Sequence, residues 1–122
     1  MSGRFAVCRF DPSHPAPTAS DEVQFWSLTR TASELSLVCG ESQAPEDAEL
    51  EKGWRCLEVE GPLDFSLTGV LSSLLGPLAD NGISVFTIST YDTDYLLVKE
   101  NELEQAVVVL ADAGHETRGL SI

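Results

Sequence analysis

The sequence predicts an α+β fold in two tandem lobes: a clear unit over residues 61–122 and a divergent copy of its plan over residues 1–60. Three observations point there. Leucines recur at helical spacing in one segment, β-branched and aromatic residues crowd the next, and one strand–turn–strand pattern occurs twice. The second occurrence, FTISTYDTDYLLVK, superposes without a gap on WSLTRTASELSLVC at a separation of 60 residues. Two related lobes are the simplest account of that echo.

The first lobe opens with a strand over residues 5–10, FAVCRF, closed by Asp11-Pro12. SHPAPTAS follows as a loop, with two prolines among small polar residues. Strands are expected over 25–30 and 34–39, joined tightly through Thr31-Ala32-Ser33. The acidic stretch ESQAPEDAELEKG, with Pro45 suited to a first helical turn, predicts a short helix ended by Gly53. A strand over 54–60 then shares or bridges the two lobes. Its alternation sets Trp54, Cys56, Leu57 and Val59 against Arg55, Glu58 and Glu60.

In the second lobe a helix is expected after Thr68 as N-cap, with Val70, Leu71, Leu74, Leu75 and Leu78 on its inner face. Pro77 should kink it or confine its last turn, and Asn81-Gly82 should end it. Residues 83–90 read as a central strand, Asp92-Thr93 as a turn, and 94–99 as the antiparallel return. Asn101 and Glu104 match a capping box opening a second helix, lined inside by Leu103, Val107 and Leu110 and ended by Gly114. A short strand over 115–118 would complete the order β-α-β-β-α-β, the ferredoxin-like split βαβ sandwich.

Composition narrows the function. An apolar fraction of 43% in 122 residues belongs to a folded globular chain. No apolar run nears the ~18 residues of a membrane span, and no basic segment precedes a signal-like core. A net charge of −13 would repel phosphate backbones and anionic lipids, so neither nucleic acid nor membrane is expected as a partner. Cys8, Cys39 and Cys56 are odd in number, lie in apolar runs and lack metal-ligand spacing. No metal, cofactor or disulfide is expected, and a reducing, cytoplasmic compartment fits. No nucleophile–base pair or paired carboxylates stand out, so the chain is not expected to be an enzyme.

The binding signal lies in the loop LDFSLTG entering the first helix. A helix N-terminus presents free N–H groups and partial positive charge to a carboxylate, and Gly69 permits close approach. The same residues also serve simply to start a helix. Trp26 and Trp54 sit in strand patterns, where core packing outweighs a role as partner anchors.

The segment GPLDFSLTGVLSSLLGPLADNGISVFTISTYDTDYLLVKENEL resembles the ACT-domain family, in the subtype of small bacterial ACT proteins and of CASTOR, the animal cytosolic arginine sensor. It shares a GPLxF loop, a Gly at the first helix, GPLA, an IS-aromatic strand, then ST-aromatic-x-x-D and LV. GWRCLEVEGPL matches moderately and the first 45 residues only in outline. The resemblance implies a non-catalytic regulatory module that holds an amino acid at a lobe–lobe or subunit interface and forms a homodimer. It implies a site lined by Thr68, Gly69 and Val70 on the helix, and by Ser89, Thr90, Tyr91 and Asp94 across the hairpin. Asp94 would pair with a cationic group, or else serve the turn. Leu67 stands where the arginine-sensing relative is acidic, which argues against arginine. The alternative is a protein-interaction domain with a vestigial pocket.

Overall fold

A computed structural model describes residues 1–59 and 69–117 of the chain. The fold is α+β, with antiparallel strand pairing and two α-helices among the described residues. The chain divides into two compact units, residues 3–53 and residues 1–2 with 54–122.

In the unit of residues 3–53, strands β1 (Phe5–Phe10), β2 (Trp26–Arg30) and β3 (Leu35–Gly40) pair antiparallel, with β3 between the other two. Strand alternation turns Ala6, Cys8 and Phe10 to one face, opposite Cys39, Leu37 and Leu35. These six form the buried core, with Trp26, Ala44 and Ala48 packed against it.

The acidic stretch departs from expectation. In place of a helix there is one 3₁₀ turn at Glu41–Gln43, and β4 runs over Glu49–Glu58, across the division between units. The stretch has no apolar stripe long enough to anchor a helix. Glu41 is held instead by tertiary partners: its carboxylate lies 3.4 Å from Arg4 and accepts the Gly53 N–H at 2.8 Å.

In the other unit, the 54–58 part of β4, β5 (Val85–Ser89) and β6 (Asp94–Lys99) pair antiparallel, with β6 central. Helices α1 (Val70–Asp80) and α2 (Leu103–Asp112) share a core with one face of this sheet. Leu78, Ile83, Leu96, Val98, Leu103, Ala106, Val109 and Leu110 are its buried members. Leu71, Leu74 and Leu75 pack on it at helical spacing, as the sequence predicts. Leu57 of β4 and Val59 just beyond it pack on this core, while Trp54 meets Phe86 edge-on at 4.7 Å on the opposite face, so Val59 does not share the face of Trp54 as the expected alternation has it. Arg55, set opposite the apolar residues by the strand's alternation, is itself only 6% exposed, with Trp54 and Cys56 buried on either side of it and Glu100 3.9 Å away.

Both helices end alike. Gly82 and Gly114 take left-handed φ of +71° and +93°, and their N–H groups bond Ala79 O and Ala111 O. Ile83 and His115 then bond back to Leu78 O and Leu110 O, completing Schellman motifs. This shortens β5. Ile83 was expected in the strand, but its N–H belongs to the α1 terminus and its side chain to the core. Pro77 does not stop α1, which continues to Asp80. Proline offers no N–H to Ser73 O four residues back, and His115 Nε2–H donates to that carbonyl at 3.0 Å.

The expected capping box is absent. A 3₁₀ turn at Glu100–Glu102 leads directly from β6 into α2, with Glu102 at the N-cap and no side-chain cap. Residues 115–117 are not a strand, His115 being committed to Leu110 and Ser73, and Arg118 lies outside the described residues.

The two hairpins do correspond, but in a register one residue from the gapless match. Their closing pairs are Arg30 opposite Leu35 and Ser89 opposite Asp94, a separation of 59 residues. At that spacing Leu37, Val38 and Cys39 match Leu96, Leu97 and Val98, all buried, and the two 3₁₀ turns coincide. The turns share one device: the Thr31 N–H bonds Glu34 O at 2.9 Å and the Thr90 N–H bonds Thr93 O at 2.8 Å.

Candidate functional site

The candidate site lies at one end of the C-terminal sheet. Both β4 and β5 run antiparallel to β6, so β4 finishes where β5 does, beside the turn from Ser89 to Asp94. The Val59 N–H bonds Asp94 O at 2.9 Å and ties the two together. Helix α1 ends at Asp80, just before the opposite end of β5, so connectivity sets its N-terminus at the turn end of the sheet.

Gly69 caps α1 with φ +92°, ψ −12°, a left-handed conformation costly to any residue with a Cβ. The N-cap is therefore Gly69 and not the expected Thr68, and it makes no side-chain cap. Ser73 N–H is bonded to Gly69 O at 2.9 Å, whereas Val70, Leu71 and Ser72 donors have no acceptor within the helix. The first turn of α1 contains no acidic residue, leaving its dipole uncompensated from within the helix. Thr68 and Leu67 lie outside the described residues.

On the hairpin, the Ser89 hydroxyl donates to the Asp94 carboxylate, its partner in the strand register. Asp94 is thus held by a side-chain hydroxyl, and one of its oxygens is oriented by that bond. Thr90 closes the turn, its Oγ1 accepting the Thr93 N–H at 3.3 Å. Tyr91 lies in the turn with its side chain 83% exposed. Of the predicted site, the structure joins Ser89 to Asp94 and sets Thr90 and Tyr91 in the same turn; Gly69 and Val70 begin α1, and no contact joins them to the hairpin among those described.

Thr93 is a residue that sequence reasoning placed only in the turn. It is 7% exposed, and its Oγ1–H donates to Val59 O at 2.6 Å, fastening the turn to β4. A threonine amid Asp and Tyr gives no local sign of this, because the acceptor is 34 residues away.

The cysteines offer no reactive thiolate. All three are free and buried. Burial pushes Cys39 and Cys56 up to about 12, and raises Cys8 despite its bond to Cys39. Among the described residues no group of His, Cys, Asp and Glu is arranged to hold a metal, and no helix is long and apolar enough to cross a membrane.

A strand, a Gly-led helix, a hairpin and a second helix on one sheet face make up a ferredoxin-like α+β unit, and the family comparison agrees with that fold. The ACT-domain family model matches residues 49–112, and a second model, described as an N-terminal domain, matches residues 3–47. The chain belongs to the ACT-domain family. Over 119 residues it is 31% identical to the human (Homo sapiens) cytosolic arginine sensor for mTORC1 subunit 1, a match covering 85% of this chain and 36% of the sensor. The chain thus spans about a third of the length of that curated relative. A crystal structure from Agobacterium tumefaciens superposes with a TM-score of 0.84 at 38% identity, covering 97% of this chain and 92% of that one. Aspartate kinase of Clostridium acetobutylicum, an allosteric enzyme, shares the fold at a TM-score of 0.69 and 12% identity, over 93% of this chain and 34% of the kinase.

Proposed function

We propose that this chain is a non-catalytic regulatory module that binds an amino acid at the turn end of its ACT unit. Chain order supports the reading: β4 ends beside Asp94, and the Gly69-led helix that comes next in sequence ends at Asp80, before the opposite end of β5, which argues for a helix start on the Asp94 side. A zwitterion needs both a donor array for its carboxylate and an anion for its ammonium. The Gly69 and Val70 N–H groups serve the first, with Thr68 beside them, and Asp94 the second. Ser89 orients Asp94, Thr90 shapes the turn, and the exposed Tyr91 flanks the ligand. The sensor relative's printed name supports an amino acid as the ligand class. Leu67 favours a smaller or more apolar one than arginine. The module acts as a homodimer in a reducing, cytoplasmic compartment, consistent with three unpaired, buried thiols.

Thermal unfolding against each of the twenty amino acids tests this. A true ligand at 100 times its Kd adds about 2.7 kcal/mol of stability. Asp94→Asn keeps the side chain's shape and removes its charge. Loss of a charge-assisted bond of ~1.5–3 kcal/mol should weaken binding about 10- to 150-fold and leave the unliganded Tm nearly unchanged. Equal binding by the variant would move the site elsewhere. No response to any amino acid would favour an interaction domain with a vestigial pocket.

A further inference from the structure

The N-terminal unit has its own version of the sheet end just described, and it is occupied by the chain itself. Arg30 holds the hairpin position that Ser89 holds in the other unit, 59 residues on, and Leu35 stands in the place of Asp94. No helix follows β1 there. The irregular segment after Asp11 takes its place: the Arg30 guanidinium donates to Pro12 O and, at 2.9 Å, to His14 O.

His14 completes the arrangement in an unusual way. Its Nδ1 lies 2.7 Å from Pro15 O and its Nε2 lies 3.0 Å from an Asp47 carboxylate oxygen. Both partners only accept. A neutral imidazole has one N–H, so it can satisfy one of them, while the imidazolium satisfies both. The ring also lies 4.5 Å from that of Phe10, a member of the buried core.

We propose that His14 is a proton-operated clasp that, as an imidazolium, ties the segment after β1 to Asp47 over Phe10, and that loss of its proton frees one of the two attachments. The charged surroundings agree with this. Asp47 and Asp11 favour the cation and Arg30 opposes it, while the bond to Pro15 O is the largest influence, so His14 sits above the ordinary histidine value. Asp11 is itself anchored, accepting the Ser13 N–H at 3.0 Å and the Ser13 hydroxyl at 2.7 Å, which hold its carboxyl below the usual range. The clasp is therefore closed at lower pH and loosens as pH rises through the native His14 pKa.

NMR titration of the full chain reads this directly. The His14 Cε1–H resonance should titrate above free histidine, and the amides of Ser13, His14 and Ala16 and of residues 46–48 should shift with the same midpoint. Asp47→Asn should lower that midpoint and uncouple residues 46–48 from it. Titration at or below the free-histidine value, or amides that stay still while His14 titrates, would overturn the proposal. The wild-type titration alone decides the matter should the variant fail to fold.

Discussion

At the scale of single residues, this protein uses side chains mostly to repair what the backbone leaves open. Thr93 satisfies Val59 O, Glu41 satisfies Gly53 N–H, and His115 satisfies the carbonyl that Pro77 abandons. The cysteines do the opposite and take no part in such repair. Burial raises all three, so in native protein their thiolate fraction at pH 8 is far below that of an exposed cysteine. Labelling by a thiol reagent should follow unfolding rather than precede it, and rapid stoichiometric labelling of native protein would contradict the burial. A sign follows for stability. The unfolded thiols ionise near their ordinary value of about 8.5 and the folded ones much higher, so the unfolded state loses protons first. The thiol contribution is intact below pH ~8.5 and should decline as pH rises from there towards the folded values of about 12.

Among the elements, α1 and α2 depend on each other through one hydrogen bond that neither could make alone. His115→Ala should cost about 1 kcal/mol in chemical denaturation, since Ser73 O loses the donor that stands in for Pro77. Pro77→Ala restores a helical N–H to that carbonyl, so in its background His115→Ala should cost clearly less. A double-mutant cycle with a coupling near zero would show that the bond carries no stability. The hairpins make the complementary point. Their gapless sequence match is displaced by one residue from the structural one, because Thr31 and Thr90, not the most similar residues around them, set the turns. A displacement of one residue matters in a strand, where it exchanges the two faces.

For the whole molecule the dominant fact is charge. With 20 acidic and 7 basic residues, the folded chain concentrates like charges that the unfolded chain spreads apart. Neutral salt screens that repulsion, so sodium chloride between 0.05 and 0.5 M (about a threefold fall in Debye length) should raise the Tm. The proposed homodimer should strengthen over the same range, because its two chains repel as well. A Tm that falls with salt would mean that specific ion pairs such as Arg4 with Glu41 outweigh the net charge.

The sequence by itself determined what is periodic and local. The leucines of α1, the strand at Phe5–Phe10, the return strand at Asp94–Lys99 and the Gly82 and Gly114 helix ends were all legible, because each is written within a few neighbouring residues. The candidate site was legible only as residue types: the Ser89 and Asp94 pairing needs the hairpin register, and Tyr91's exposure needs the whole fold. Only the tertiary structure decided the matters settled at a distance. The acidic stretch became a turn and a strand because Glu41 found Arg4 and Gly53, Ile83 left its strand for the end of α1, and Arg55 was buried beside Glu100. The physical reason is common to all three. Local propensities differ by about a kilocalorie per residue or less, and a single buried hydrogen bond or apolar contact formed across the fold is enough to override them.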